Sequence, residues 1–179
     1  MRFCPTALSG VYRVEPEPHA DNRGLFARTF CARTFGEHGL ETTFLQGSVS
    51  YNERRGTLRG LHWQASPAAE TKLVRCTAGA IYDVVVDIRP ESPTFRQWIA
   101  CELTAGNRHQ LYIPVGCAHG FQTLCDGTEV TYWISAVYQP ELARGARWDD
   151  PAFGVAWPLG EPIMSERDRG FPGYGVAEG

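Results

Sequence analysis

Short runs of apolar, β-branched and aromatic residues recur along the chain, and glycine or proline stands between most of them. The runs lie at 43–45, 72–76, 81–88, 96–103, 110–114 and 129–135. Such residues favour extended backbone, and turn residues at each end keep the runs short. Many short strands in series predict an all-β sandwich or barrel. A helical pattern is confined to 32–38, with one further helical turn expected at Ser165–Asp168. The Pro- and Gly-rich stretch after Pro158 is expected to be irregular. No repeat, linker or low-complexity segment divides residues 1–179, so one domain is expected.

Alternation along a strand tells which side chains share a face. Lys72, Val74 and Cys76 form one such set, and Val130, Tyr132 and Ile134 form another. A lysine or a tyrosine on an otherwise apolar face has two readings. It snorkels from a buried stem, or it lines a ligand cavity inside a barrel. Several such residues together favour the cavity.

Composition narrows the class. With 179 residues, 43% hydrophobic and 21% charged, the chain reads as an ordinary globular protein. A net charge of −3 without a run of one sign argues against nucleic-acid binding. A small anionic ligand remains open, because a few local arginines suffice for it. The start of the chain carries no long apolar stretch, and no segment approaches the ~20 apolar residues of a membrane helix. Six scattered cysteines without a C-x-x-C pair read as buried thiols in a reducing cytoplasm.

The densest chemical signal is Gly56-Thr57-Leu58-Arg59-Gly60-Leu61-His62-Trp63-Gln64. In a plain strand Arg59 and His62 point to opposite faces. Gly60 lies between them, and a glycine there marks a bulge that brings both into one cavity. The second signal is Pro114-Val115-Gly116-Cys117-Ala118-His119, whose P-x-G-x-x-H spacing resembles a conserved cupin box that aims a histidine into the barrel. Metal-binding cupins have H-x-H in their first box. Here that stretch is His62-Trp63-Gln64, and two histidines without a firm third ligand make a poor transition-metal site. No metal is therefore expected. Without G-x-G-x-x-G or a P-loop, no other cofactor is expected either.

These motifs, with Lys72-Leu73-Val74-Arg75, Val86-Asp87-Ile88-Arg89, Ser92-Pro93-Thr94-Phe95, Tyr138-x-Pro140, Trp148-x-Asp150-Pro151, Trp157-Pro158 and Ser165-x-x-Asp168, occur in one order from Gly10 to Asp168. In that order they resemble the dTDP-4-dehydrorhamnose 3,5-epimerase family. The resemblance implies a cupin-type jelly-roll β-barrel with short peripheral helices. It implies His62 as general base, Asp168 as the carboxylate orienting it, Tyr132 as general acid and Lys72 as the cation beside the sugar ketone. It also implies Arg23, Arg59 and His119 as contacts to diphosphate and sugar, Gln46 as a nucleotide contact and Tyr138 as the ring stacking on the base. Arg167, beside Asp168, is counted with the substrate contacts. The implied partners are a nucleotide-sugar substrate and a second copy of the chain, as a homodimer with exchanged N-terminal strands. Two positions depart from the family pattern: Arg28 stands where glutamate is common, and Ser48 stands in an altered Q-D-N pattern. Both belong to the expected substrate-binding set, so base, sugar and the carbons inverted stay open.

The implied reaction suits these residue types. Protons on the carbons flanking a 4-keto group are acidic because the carbanion delocalises onto O4. Histidine suits the base, a carboxylate fixes its tautomer, and a lysine stabilises the enolate. Three alternatives accompany this reading: a one-carbon epimerase or ketoisomerase, a metal-dependent cupin oxygenase, and a non-catalytic sugar-binding cupin. Gln64 argues against the oxygenase, and the joint presence of base and acid argues against the binder.

Overall fold

A computed structural model describes residues 1–175. Thirteen strands form within them: β1 (Arg2–Pro5), β2 (Tyr12–Glu15), β3 (His19–Asp21), β4 (Gly24–Phe26), β5 (Gln46–Asn52), β6 (Leu58–Gln64), β7 (Lys72–Ala78), β8 (Ala80–Asp87), β9 (Trp98–Thr104), β10 (Gln110–Ile113), β11 (Cys117–Thr123), β12 (Thr128–Ile134) and β13 (Ala143–Gly145). Two short helices, α1 (Ala32–Glu37) and α2 (Glu166–Arg169), lie at the periphery. A six-stranded sheet in the order β1-β2-β10-β7-β12-β5 faces a five-stranded sheet in the order β13-β6-β11-β8-β9, and β3-β4 forms a separate hairpin. This is the expected all-β jelly roll with short peripheral helices.

Alternation decides what fills the barrel. Val74, Cys76, Ile81, Val85, Phe121 and Val130 point inward from both sheets and pack as one buried cluster. Each such side chain contributes about 1.5–3 kcal/mol on burial. One end of the interior is thus filled. Toward the other end the same inner faces carry Lys72, His119 and Tyr132, and the barrel opens there. The outer face of the five-stranded sheet is covered in turn: Val84, Val86 and Leu61 pack under Phe153, Trp157 and Tyr174.

Two expected strands differ. Residues 43–45 are loop, because the Glu41 carboxylate accepts the backbone N–H groups of Thr42 and Thr43 in a local turn. The strand there is β5, which begins at Gln46. Its inward set, Gln46, Ser48, Ser50 and Asn52, is polar, while Val49 and Tyr51 face out. The apolar run at 96–103 starts two residues late, at Trp98, because Arg96 has a φ of 63° and closes a turn onto the Asp87 carbonyl.

The Val86–Arg89 and Ser92–Phe95 motifs turn out to be one knot. Asp87, with no exposed surface, accepts hydrogen bonds from Arg89, Ser92 and Thr94. Burial opposes ionisation of Asp87, yet these three donors together hold its carboxyl far below the usual range.

Candidate active site

The open end of the barrel holds a cavity of about 410 Å³. It lies between the two sheets, so its walls carry side chains from opposite sides. His62 and Arg59 come from β6 and His119 from β11, while Lys72 comes from β7 and Tyr132 from β12. The expected bulge at Gly60 is present. The β6–β11 register shifts between His119 and Phe121, and Gly60 has a φ of 131°. A Cβ on Gly60 would stand 2.5 Å from the Gly120 Cα, and one on Gly120 would stand 2.9 Å from the Arg59 carbonyl oxygen. Two facing glycines therefore let the strands approach closely enough for Arg59 and His62 to share the cavity.

His62 Nε2 lies 2.9 Å from Asp168 Oδ1. Asp168 arrives on α2, whose N-cap is Ser165: the Ser165 hydroxyl accepts the Asp168 N–H at 3.1 Å. The Gly60 N–H donates to the other carboxylate oxygen at 3.3 Å. Burial works against the charge, but the His62 bond, the Gly60 N–H and Arg167 keep the Asp168 carboxyl below its ordinary range. A carboxylate without a proton must accept, so a neutral His62 imidazole in this bond has its hydrogen on Nε2 and its lone pair on Nδ1.

Tyr132 faces the cavity from the opposite sheet. Burial, then the nearby Asp83 charge, pushes its phenol far above the ordinary range. It is therefore protonated near neutral pH. His119 and Asp83 form a second, deeper pair, Nε2 to Oδ1 at 2.7 Å, and the His119 ring packs edge-on against Tyr132 at 6.1 Å. Lys72 Nζ lies 2.9 Å from Glu70 Oε1. Arg59 is held by neutral acceptors, Asn52 Oδ1 at 2.8 Å and the Tyr51 carbonyl at 3.5 Å. Arg167 reaches the cavity rim over the ring of Phe171, 5.9 Å from its centroid.

Eight of the twelve residues singled out from the sequence thus meet at one cavity: His62, Lys72, Tyr132, Asp168, Arg59, His119, Tyr138 and Arg167. Gln46 stands behind Tyr138, its side-chain oxygen accepting the Tyr138 N–H at 2.8 Å. Ser48 lies on the same inner face of β5, opposite Tyr132, and is exposed. Arg23 and Arg28 do not line the cavity. Arg23 sits at the exposed tip of the β3–β4 hairpin against Asp21, and Arg28 is exposed just beyond that hairpin.

Sequence reasoning passed over Asp83, Glu70, Ser50, Arg144 and Phe171. Asp83 had a visible signal, since alternation in Ile81-x-Asp83-x-Val85 puts one carboxylate on an apolar inner face. Glu70 and Phe171 lie in irregular segments, where no periodicity could mark them. Gln64, at the altered H-x-H position, uses its amide as a backbone staple. It donates to the Ala68 and Val137 carbonyls and accepts the Gln139 N–H.

An imidazole backed by a carboxylate, facing a protonated phenol across the cavity, is an arrangement suited to proton removal on one side of a ligand and proton delivery on the other. That chemistry, in a jelly-roll barrel, defines an acid–base isomerase of the cupin type. Comparison with known proteins narrows the class. The family model described as dTDP-4-dehydrorhamnose 3,5-epimerase matches residues 5–174. The dTDP-4-dehydrorhamnose 3,5-epimerase of Methanothermobacter thermautotrophicus is 44% identical over 171 residues, 94% of this chain and 91% of that protein. The Bacillus anthracis enzyme of the same name, solved with TDP and PPi bound, superposes with a TM-score of 0.93 at 40% identity, covering 96% of this chain and 98% of that one. The Legionella pneumophila enzyme, solved with dTDP-4-keto-L-rhamnose, gives a TM-score of 0.90 at 36% identity over 96% of this chain and 92% of its own. The chain belongs to the dTDP-4-dehydrorhamnose 3,5-epimerase family and is an isomerase, an epimerase of deoxysugar biosynthesis.

Proposed function

We propose that the protein inverts carbon 3, carbon 5 or both of a dTDP-4-keto-6-deoxyhexose, through an enolate, without a cofactor. The observation that carries this reading is the opposition of His62, backed by Asp168, to Tyr132 on the facing sheet. His62 takes the proton from the carbon beside the ketone at Nδ1, and the C–H electron pair moves through the ring onto O4. Lys72 stabilises the negative charge on O4. Tyr132 then gives its proton to the same carbon from the opposite face, the enolate electrons return, and solvent resets both groups. Arg59 and Arg167 hold the diphosphate, where planar guanidinium groups match phosphate oxygens in pairs. Tyr138, half exposed at the rim, stacks on the base, with His119 against the sugar.

The test is incubation with dTDP-4-keto-6-deoxyglucose in D2O, reading deuterium at carbons 3 and 5 by NMR and mass spectrometry. Wild type should incorporate deuterium at one or both carbons and accumulate inverted product. His62→Asn should do neither. Near-normal wash-in by His62→Asn would remove His62 as the base. Deuterium at a single carbon would make the protein a one-carbon epimerase.

We further propose that residues 1–179 act as one catalytic unit, that two copies associate in the cytoplasm, and that each lends Arg23 and Arg28 to the other's cavity. Support comes from the outer face of the six-stranded sheet, where Val49, Tyr51 and Trp133 are 63%, 60% and 47% exposed, and from the hairpin residue Phe26, 71% exposed. Exposed large apolar side chains of this kind favour burial against a partner. Analytical ultracentrifugation should give twice the chain mass, and Tyr51→Glu with Trp133→Glu should give single chains. A wild-type monomer would refute the assembly.

A further inference from the structure

Glu70 has no role in the reaction as drawn above, yet its side chain lies inside the cavity, 2.9 Å from the Lys72 ammonium. Both side chains are nearly sealed from solvent, at 10% and 11% exposure. An ammonium this poorly hydrated requires an ionic partner, and a four-carbon stem with free torsions requires something to aim it. Glu70 meets both needs, and its own placement is fixed by the backbone. Thr71, between the two residues, donates its N–H to Ser135 Oγ at 2.8 Å and accepts the Ser135 N–H at 3.0 Å. The loop leading to Glu70 is tied by Gln64, whose amide donates to the Ala68 carbonyl at 2.6 Å. The acid is thus anchored at the end of β12 and through β6, two of the strands that carry Tyr132 and His62.

We propose that Glu70 is a positioning residue for the epimerase reaction: it holds the Lys72 ammonium and aims it at the place where O4 gains negative charge. This deepens the functional reading above and rests on the role of Lys72 given there. Glu70 does not touch the reacting carbons. Its effect passes through Lys72 alone, and that makes it separable from a structural role.

The experiment is a double-mutant cycle with thermal melting as the fold control. Turnover and deuterium incorporation on dTDP-4-keto-6-deoxyglucose are measured for wild type, Glu70→Ala, Glu70→Gln, Lys72→Met and both double variants. Loss of a charged hydrogen bond predicts a kcat for Glu70→Ala about 10- to 100-fold lower, with KM changed by less than about threefold. Glu70→Gln, which keeps an oxygen for Nζ, should lose less. In the Lys72→Met background either substitution at Glu70 should change kcat by less than about twofold. Equal losses in both backgrounds would overturn the proposal, as would a loss seen mainly in KM or a wild-type kcat for Glu70→Ala. Should Glu70→Ala melt early, the comparison rests on Glu70→Gln, where a wild-type kcat would overturn the proposal. A wild-type rate for Lys72→Met itself would instead overturn the role of the lysine, a different failure read from a different variant.

Discussion

Tyr132 is a phenol that its surroundings keep protonated, chiefly through burial and secondly through the charge of Asp83. Such a group is a poor acid toward water and an adequate one toward a carbanion, so in the proposed reaction it would deliver its proton only once the enolate exists. Tyr132→Phe preserves the ring and its packing against His119 but removes that proton. The enolate should still form, and His62 should return the proton mostly to the original face. In D2O the variant should therefore incorporate deuterium faster than it accumulates inverted product, relative to wild type. Both rates can be read on one sample by NMR and mass spectrometry, and an unchanged ratio would exclude Tyr132 as the acid. Asp168→Asn acts on the opposite side. It keeps the shape of the dyad but can impose the wrong tautomer on His62. Exchange should slow by about tenfold or more while the melting temperature shifts only modestly.

Among the elements, the C-terminal segment completes the site. Phe171 packs edge-on against His62 with ring centroids 5.6 Å apart and supports Arg167 on its face. It fits because Gly145 of β13 has no side chain: a Cβ there would stand 2.4 Å from the Phe171 ring. Gly145 is paired directly with His62 across the β13–β6 ladder. The segment is tied down by the Arg147 N–H to the Pro172 carbonyl and by the Tyr174 N–H to Asp150. Gly145→Ala should push the ring away from His62 and lower kcat. Adding Gly145→Ala to Phe171→Ala should cost little more, because the space is already empty. Steady-state kinetics on the two single variants and the double variant measure this coupling. Strictly additive losses would show that the glycine serves only its own strand.

For the whole molecule, the Asp87 knot ties β8 to the turn that leads into β9. Its folded-state ionisation is depressed, so its stabilisation is complete above the ordinary carboxylate range near pH 4 and is lost as pH falls below it. Asp87→Asn should cost about 2–4 kcal/mol at neutral pH, since it disturbs a buried charged network. The gap to wild type should narrow as the pH falls from about 4 toward 2. Denaturant melts at several pH values check this, and a gap that is constant with pH would mean that Asp87 contributes through packing alone. The buried thiols of Cys76 and Cys117 add no comparable dependence near neutrality, because burial pushes Cys76 up to about 11 and Cys117 up to about 12.

The strand-rich class, the bulge at Gly60, and the inward sets Lys72-Val74-Cys76 and Val130-Tyr132-Ile134 were legible in the residue pattern alone. A period of two names the face of a side chain without reference to the rest of the chain. The same pattern passed over β5, whose inward residues Gln46, Ser48, Ser50 and Asn52 are polar while Val49 and Tyr51 face out, the reverse of a core strand. Which groups meet is settled only in three dimensions. His62 and Asp168 are 106 residues apart, and His119 and Asp83 are 36 apart. Alternation gives a face but never a partner on another strand. Glu70 reaches the cavity, and Phe171 packs against His62, from irregular backbone whose course is set by hydrogen bonds to Gln64, Ser135 and Arg147 rather than by any pattern of its own.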